Sequence, residues 1–418
     1  VWKRVYDGRL QLRWFGVANT SSDYIGVGRA IDLANYLNNN QIIASDGIST
    51  IRVDATINKN VTTDIDFEFG ETKIVCNVAN TNEMFILTSS PVWSYRVRID
   101  GGQFDSSAIT TGAGGSDNAG SALALYSMRG GWSISGGRFT AGTSLSALKA
   151  DTAIAPVACY SGTIENCYIR GWGDVGIYVT GGNDLDGDEE AGPTYIRNCT
   201  IEHCLNGISG KRGTANVSIH GCKIVRCQNG MGVVEVGSPQ YQEPGHRFFV
   251  SNTWFKDCQN ASATMRGGDG MHDFSHCIFE DWGYDDGGSP VGGSQVALDL
   301  RGTRLSNVHS CRFRLVDRAN SNHIGVALQN YTNGAATITW EHGGNDITDN
   351  TFEGLAYGVR ETVAGDAALV NYAINNRFRS VTTPYTALTT GAIFGDSPLS
   401  PYANTFTATQ TISSATSD

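Results

Sequence analysis

A six-residue phrase that returns about every 30 residues limits this chain more than any other feature. It consists of an apolar residue, any residue, a turn-former, two more residues and a second apolar residue. It reads Ile99-Asp-Gly101-Gly-Gln-Phe104, then Ile134-Ser-Gly136-Gly-Arg-Phe139, Ile164-Glu-Asn166-Cys-Tyr-Ile169 and Ile196-Arg-Asn198-Cys-Thr-Ile201. Ile219-His-Gly221-Cys-Lys-Ile224, Val250-Ser-Asn252-Thr-Trp-Phe255 and Phe274-Ser-His276-Cys-Ile-Phe279 follow. Val308-His-Ser310-Cys-Arg-Phe313, Ile347-Thr-Asp349-Asn-Thr-Phe352 and a looser Ala373-Ile-Asn375-Asn-Arg-Phe378 close the series.

Gly, Asn, Asp and His tolerate positive φ, so the turn column reads as a tight bend between two short strands; only Ser310 departs from it. Side chains alternate after the bend, which sends Cys167 and Ile169 to one side. A second phrase trails the first, as in Gly176-Ile177, Asn206-Gly207-Ile208, Asn229-Gly230-Met231, Gly325-Val326 and Gly358-Val359, and starts another strand. One coil of this kind cannot bury its apolar face alone, but stacked neighbours can. The expectation is an all-β solenoid, a parallel β-helix. Cys167, Cys199, Cys222, Cys277 and Cys311 then fall in one column and Cys204, Cys227 and Cys258 in a second. They read as small apolar fillers in preference to disulfides or a zinc site.

Composition removes other classes. Of 418 residues, 40% are hydrophobic and 17% charged, and 51 are glycine, a turn-rich chain with no apolar run long enough for a membrane helix. The net charge of −11 argues against a nucleic-acid surface and against docking on anionic lipid, since both need clustered Lys and Arg. An acidic polysaccharide stays open if a local basic patch overrides the overall field. The chain begins at Val1 without a signal-peptide pattern, and is expected to be a fragment or processed chain that lacks an N-terminal part.

The first hundred residues do not fit the repeat. Trp14-Phe15-Gly16-Val17 precedes a helical stretch from Arg29 to Leu37, with Ala30, Leu33, Ala34 and Leu37 on one face and Ile31 on its flank. Ser22 or Asp23 marks its start, and Asn38 to Asn40 its stop. Short strands such as Ile65-Asp-Phe-Glu-Phe-Gly70 come next.

This order of Trp-Phe-Gly, helix and first coils resembles the entry to bacteriophage tailspikes of the pectate-lyase-like right-handed parallel β-helix superfamily. The resemblance covers residues 10 to about 385 in architecture, with the usual acidic signature before the helix reduced to Asp23. It implies that the short N-terminal helix caps the solenoid. It also implies a homotrimer, attached to a virion tail through a missing N-terminal region, that acts outside the cell on O-antigen, capsule or exopolysaccharide, usually with cleavage. The expected organisation is a neck and capping helix over 1–40, the β-helix over 41–385 and a C-terminal tail over 386–418, read as trimer-forming in preference to a frayed end.

Hydrolysis of a glycosidic bond takes two carboxyl groups, ~5–5.5 Å apart for retention or ~6.5–9.5 Å for inversion. Adjacent coils, ~4.8 Å apart, supply such distances. Carboxylates at equivalent places on consecutive coils are Glu235, Asp269 with Asp273, and Asp299, expected to line one outward face as the catalytic group. Lys211, Arg212, Arg266 and Arg301 lie beside them, and Tyr241, Trp282 and Tyr331 are the aromatic candidates for sugar contact. Tyr178, Tyr284 and Trp340 sit in or near insertions as well. The opposing reading makes the acids solvated surface groups and the aromatics packing. A lyase is the chemical rival, with Tyr241, His246, Arg247, Lys211 and His220 as its scattered candidates. The acidic loop Asn183-Asp-Leu-Asp-Gly-Asp-Glu-Glu190 misplaces glycine for a calcium loop and is read as a solvated insertion. Neither a metal nor a cofactor is expected, and the non-enzymatic alternative is a receptor-binding fibre.

Overall fold

The computed structural model describes residues 9–76, 84–89, 95–109, 121–181, 192–211, 213–233, 246–267, 270–285, 289–291, 295–318, 322–332, 339–389, 392–395 and 410–412. It divides into two compact units that part between Leu205 and Asn206. In each, short parallel strands form two sheets. Sheet A carries the strands on either side of the positive-φ bend. Sheet B carries those that begin at the trailing Gly-Ile phrase.

In the first unit a short strand, Arg9–Gln11, precedes the helix Asp23–Leu37, which ends at Asn38 in the left-handed conformation. Its buried side chains include Val27, Ala30, Ile31 and Ala34, whereas Leu33 is only half-buried. The buried stripe is therefore rotated from the expected one, toward Ile31. Asp23 is fully buried and accepts the backbone N–H of Ala18 and Thr20 and the Thr20 hydroxyl, each at 3.0 Å. Behind the helix, Ile65–Cys76 pairs in parallel with Gln41–Ala44, Thr50–Val53 and Val97–Asp105. Phe104 and Phe139 stack inside this unit with centroids 4.6 Å apart. Gly101 follows the Gly70 backbone so closely that a Cβ there would stand 2.5 Å from the Gly70 carbonyl oxygen.

In the second unit the bend recurs at Asn252, His276, Ser310, Asp349 and Asn375, with φ between 49° and 58°. Ser310 adopts φ 55° like its neighbours: stacking on both sides overrides the residue's own weak preference. Three residues after each bend strand alternation points an aromatic inward. Phe255, Phe279, Phe313, Phe352 and Phe378 form a stack with successive centroids 4.9, 4.6, 4.8 and 5.2 Å apart. Burying each such ring contributes about 1.5–3 kcal/mol, and its stacking about 0.5–1.5 kcal/mol more. All ten cysteines are buried, and none forms a disulfide. Past Cys311 their column continues as Asn350 and Asn376: the Cys311 N–H donates to Asn350 Oδ1 at 2.8 Å, and the Asn350 N–H to Asn376 Oδ1 at 2.9 Å. Parallel pairing runs on to Ile393–Gly395, past the boundary expected at 385. Within the tail, Gln410–Ile412 pairs antiparallel with Thr383–Ala387.

Candidate functional site

Sheet B of the second unit carries the site. Ala261–Arg266, Val296–Arg301 and Ile324–Gln329 are consecutive parallel strands, with Thr264, Asp299 and Ala327 in one row and Arg266, Arg301 and Gln329 in the next. Met265, Leu298, Leu300 and Leu328 are fully buried toward the coil interior, so period-two alternation turns Asp299 and Arg301 outward. Asp299 is nevertheless only 1% exposed. Arg301 donates Nε–H to its Oδ2 at 2.5 Å, and the Gln329 amide donates to its Oδ1. Burial raises the Asp299 pKa above the ordinary carboxylate value, and the charges of Arg301 and Arg266 with the Gln329 hydrogen bond oppose that rise without cancelling it.

An aromatic platform stands against Arg266 and Gly302. Tyr331 pairs antiparallel with Trp340, and their rings stack at 5.8 Å and 15°. The Arg266 guanidinium lies over the Tyr331 ring at 5.8 Å. Gly302 lets this hairpin come close. At φ 62°, a Cβ there would be 2.7 Å from both Trp340 Cβ and Trp340 O. Of the residues that build the site, Gln329 and Gly302 escape the sequence reading. Setting Ile324-Gly-Val-Ala-Leu-Gln329 under Val296-Ala-Leu-Asp-Leu-Arg301 would have revealed Gln329 as the successor of Arg301.

Asp273 does not join Asp299. It lies in sheet A, between Phe249 and Asn307 on the neighbouring strands, with its carboxylate 3.6 Å from His309 Nε2. The chain has already turned from sheet B into sheet A at that point, and the expected single face of four acids is corrected accordingly. Trp282 is also not available for sugar contact: it is fully buried, with Nε1–H donating to the Gln295 carbonyl at 3.1 Å. Tyr284, 4% exposed, stacks on His323 at 5.0 Å. The aromatics of that insertion serve packing. Lys211 closes the strand Asn206–Lys211 on the same sheet, two coils before Arg266. Tyr178 is half-buried in Val175–Thr180 of the other unit. Glu235, Asp269, Arg212, Tyr241 and the acidic loop at 183–190 lie outside the described residues.

The residues proposed for a lyase are divided between the two sheets, and Tyr241 and the His246 side chain lie outside the described residues. His220 bonds Ser251 at 2.9 Å and Arg247 lies on the adjoining strand, both in sheet A, whereas Lys211 ends a strand of sheet B. In the first unit, a cavity of about 590 Å³ is lined by Asp46, Glu68, Glu71 and Asp100 among others. Its acids are committed: Arg9 binds Asp46 at 2.8 Å and Glu68 at 2.9 Å, Gln103 binds Glu71 at 3.0 Å, and Ser135 binds Asp100 at 2.8 Å.

A family model described as a right-handed beta helix region matches residues 152–281. Among curated protein sequences, none matches. The fold is similar to that of the Dettilon tailspike protein (TM-score 0.58, 12% identity, 90% of this chain and 69% of that one). It is also similar to PfbA, a surface adhesin of Streptococcus pneumoniae (0.56, 11%, 90% and 91%). A third similar structure is the A-module of the Azotobacter vinelandii mannuronan C-5 epimerase AlgE4 (0.53, 12%, 91% and 98%). A spike, an adhesin and an epimerase share this right-handed parallel β-helix, so the fold alone does not select the activity.

Proposed function

We propose that this right-handed parallel β-helix is a phage tailspike that binds a bacterial surface polysaccharide and cleaves it by endo-glycosidic hydrolysis on the Asp299 face. One observation carries the reading: Asp299 is an outward, almost fully buried carboxyl group whose pKa is raised. A carboxyl group held toward its neutral form is the proton donor that a departing glycosidic oxygen needs. In this reading Asp299 gives its proton to the leaving oxygen and a water adds at the anomeric carbon. The base or nucleophile is one of the two sequence-derived acids of the preceding coils, Glu235 or Asp269. The Tyr331–Trp340 stack offers the flat apolar surface that a sugar ring covers.

The similarity to a tailspike, together with the Trp-Phe-Gly and capping-helix entry, supports the assignment to a virion tail, with assembly as a homotrimer and attachment through a region N-terminal to this chain. The test is digestion of purified host surface polysaccharide, with mass spectrometry of the products. Fragments heavier by one water per cleavage support the hydrolase, and unsaturated fragments replace it by a lyase. Intact polymer that still binds leaves a receptor-binding fibre.

A further inference from the structure

Arg266 and Arg301 stand opposite one another on adjacent strands. With strands ~4.8 Å apart, two guanidinium groups so placed repel unless an anion lies between them. Among the described residues Asp299 is the carboxylate that meets them, through the 2.5 Å bond from Arg301. Its charge is felt at Arg266, but no ion pair joins those two, and Arg266 Nε is buried without a hydrogen-bond partner. Two fixed cations thus share one carboxyl group, which burial holds toward its neutral form. This local surplus of positive charge occurs on a chain of net charge −11, with the Arg266 guanidinium already resting on Tyr331.

We propose that the sugar bound on this face carries an anionic oxygen group, a carboxylate or a phosphate, clamped by Arg266 and Arg301 while the ring lies against Tyr331 and Trp340. The proposal rests on the reading of this face as the polysaccharide site and adds the substrate class. A planar guanidinium presents paired N–H donors that match both oxyanions, and its hold is strongest where water is partly excluded. A bound anion also gives Arg266 the ion-pair partner that Asp299 gives to Arg301. Placed beside Asp299, it favours that group's protonated form, which is the form that donates.

The test is isothermal titration calorimetry of the full chain with sodium glucuronate, glucose 1-phosphate and glucose at matched ionic strength. Binding of glucuronate or glucose 1-phosphate but not glucose is expected, and the tighter of the two identifies the oxyanion. R266Q and R301Q should each weaken that binding at least tenfold. R266K and R301K, which keep the charge and lose the paired donors, should retain part of it. R312Q, whose arginine pairs with Glu353 on the other sheet, should leave binding unchanged and serves as the control for folding. D299N removes a competing carboxylate, so it should bind the anionic sugar at least as tightly as the native chain whether or not cleavage depends on Asp299. Equal binding of glucose, no binding of any of the three sugars, or anionic binding that survives R266Q and R301Q overturns the proposal. Cleavage of host polymer by a chain that fails this test would leave the hydrolase reading in place.

Discussion

Arg301 Nε–H donates to Asp299 Oδ2 at 2.5 Å from two residues along the same strand, so that neighbouring outward rows of sheet B hold the acid and the cation that tempers it. Asp299→Asn keeps the shape and the Gln329 contact and removes the proton. It should lower the rate of polysaccharide cleavage roughly a hundredfold or more, with unfolding midpoint and oligomeric state retained. Undiminished cleavage would remove Asp299 from the reaction.

The pH profile supplies a separate check. A general acid with a raised pKa works below that pKa, so cleavage should decline as pH rises through it. Arg301 opposes the rise, so Arg301→Gln should push the Asp299 pKa higher and move the alkaline limb of the rate profile to higher pH. A limb that stays in place, or moves down, contradicts the assignment.

Gly302→Ala tests the aromatic platform without altering any sugar-contacting side chain. A methyl group at φ 62° costs roughly 1–2 kcal/mol in backbone strain and collides with Trp340, which forces the Tyr331–Trp340 hairpin away. Affinity for intact polysaccharide, measured by surface plasmon resonance, should fall roughly tenfold, as for Tyr331→Ala.

At the other end of the chain, Asp23 Oδ2 accepts the backbone N–H of Arg52 at 3.0 Å and so ties the capping helix to the first coils. Asp23→Ala leaves several donors unsatisfied and should destabilise the chain by on the order of 3 kcal/mol, read as a lower denaturant midpoint. A shift below about 0.5 kcal/mol would show that the helix docks by apolar contact alone.

His323, packed between Trp282 and Tyr284, has its pKa lowered by burial from 6.5 to about 4. The unfolded chain takes up this proton at higher pH than the folded one. The stability His323 contributes is therefore complete above pH 6.5 and is lost as pH falls toward 4, by roughly 1 kcal/mol per pH unit. His342 is shifted in the same direction by burial. Melting temperature should decline over this window and decline less in His323→Gln.

The coil was legible because its rules are local: a left-handed bend, two residues of alternation, an apolar ring, repeated about every 30 residues. The bends from Asn252 to Asn375 and the phenylalanine stack from Phe255 to Phe378 follow from residues close in sequence. The outward position of Asp299 beside Arg301 follows in the same way. Tertiary structure decided the rest. Asp273 and Asp299 look equivalent when counted from their strands, but whether a side chain belongs to sheet A or sheet B depends on where the chain turns between them, and an insertion hides that point. Trp282 looked available for sugar until the coils around it closed over its ring and the Gln295 carbonyl took its N–H. The raised pKa of Asp299 is likewise a property of neighbouring strands. The burial that raises it, and the Arg266 charge and Gln329 hydrogen bond that oppose the rise, come from residues some 30 positions away, brought within reach only because stacked coils lie ~4.8 Å apart.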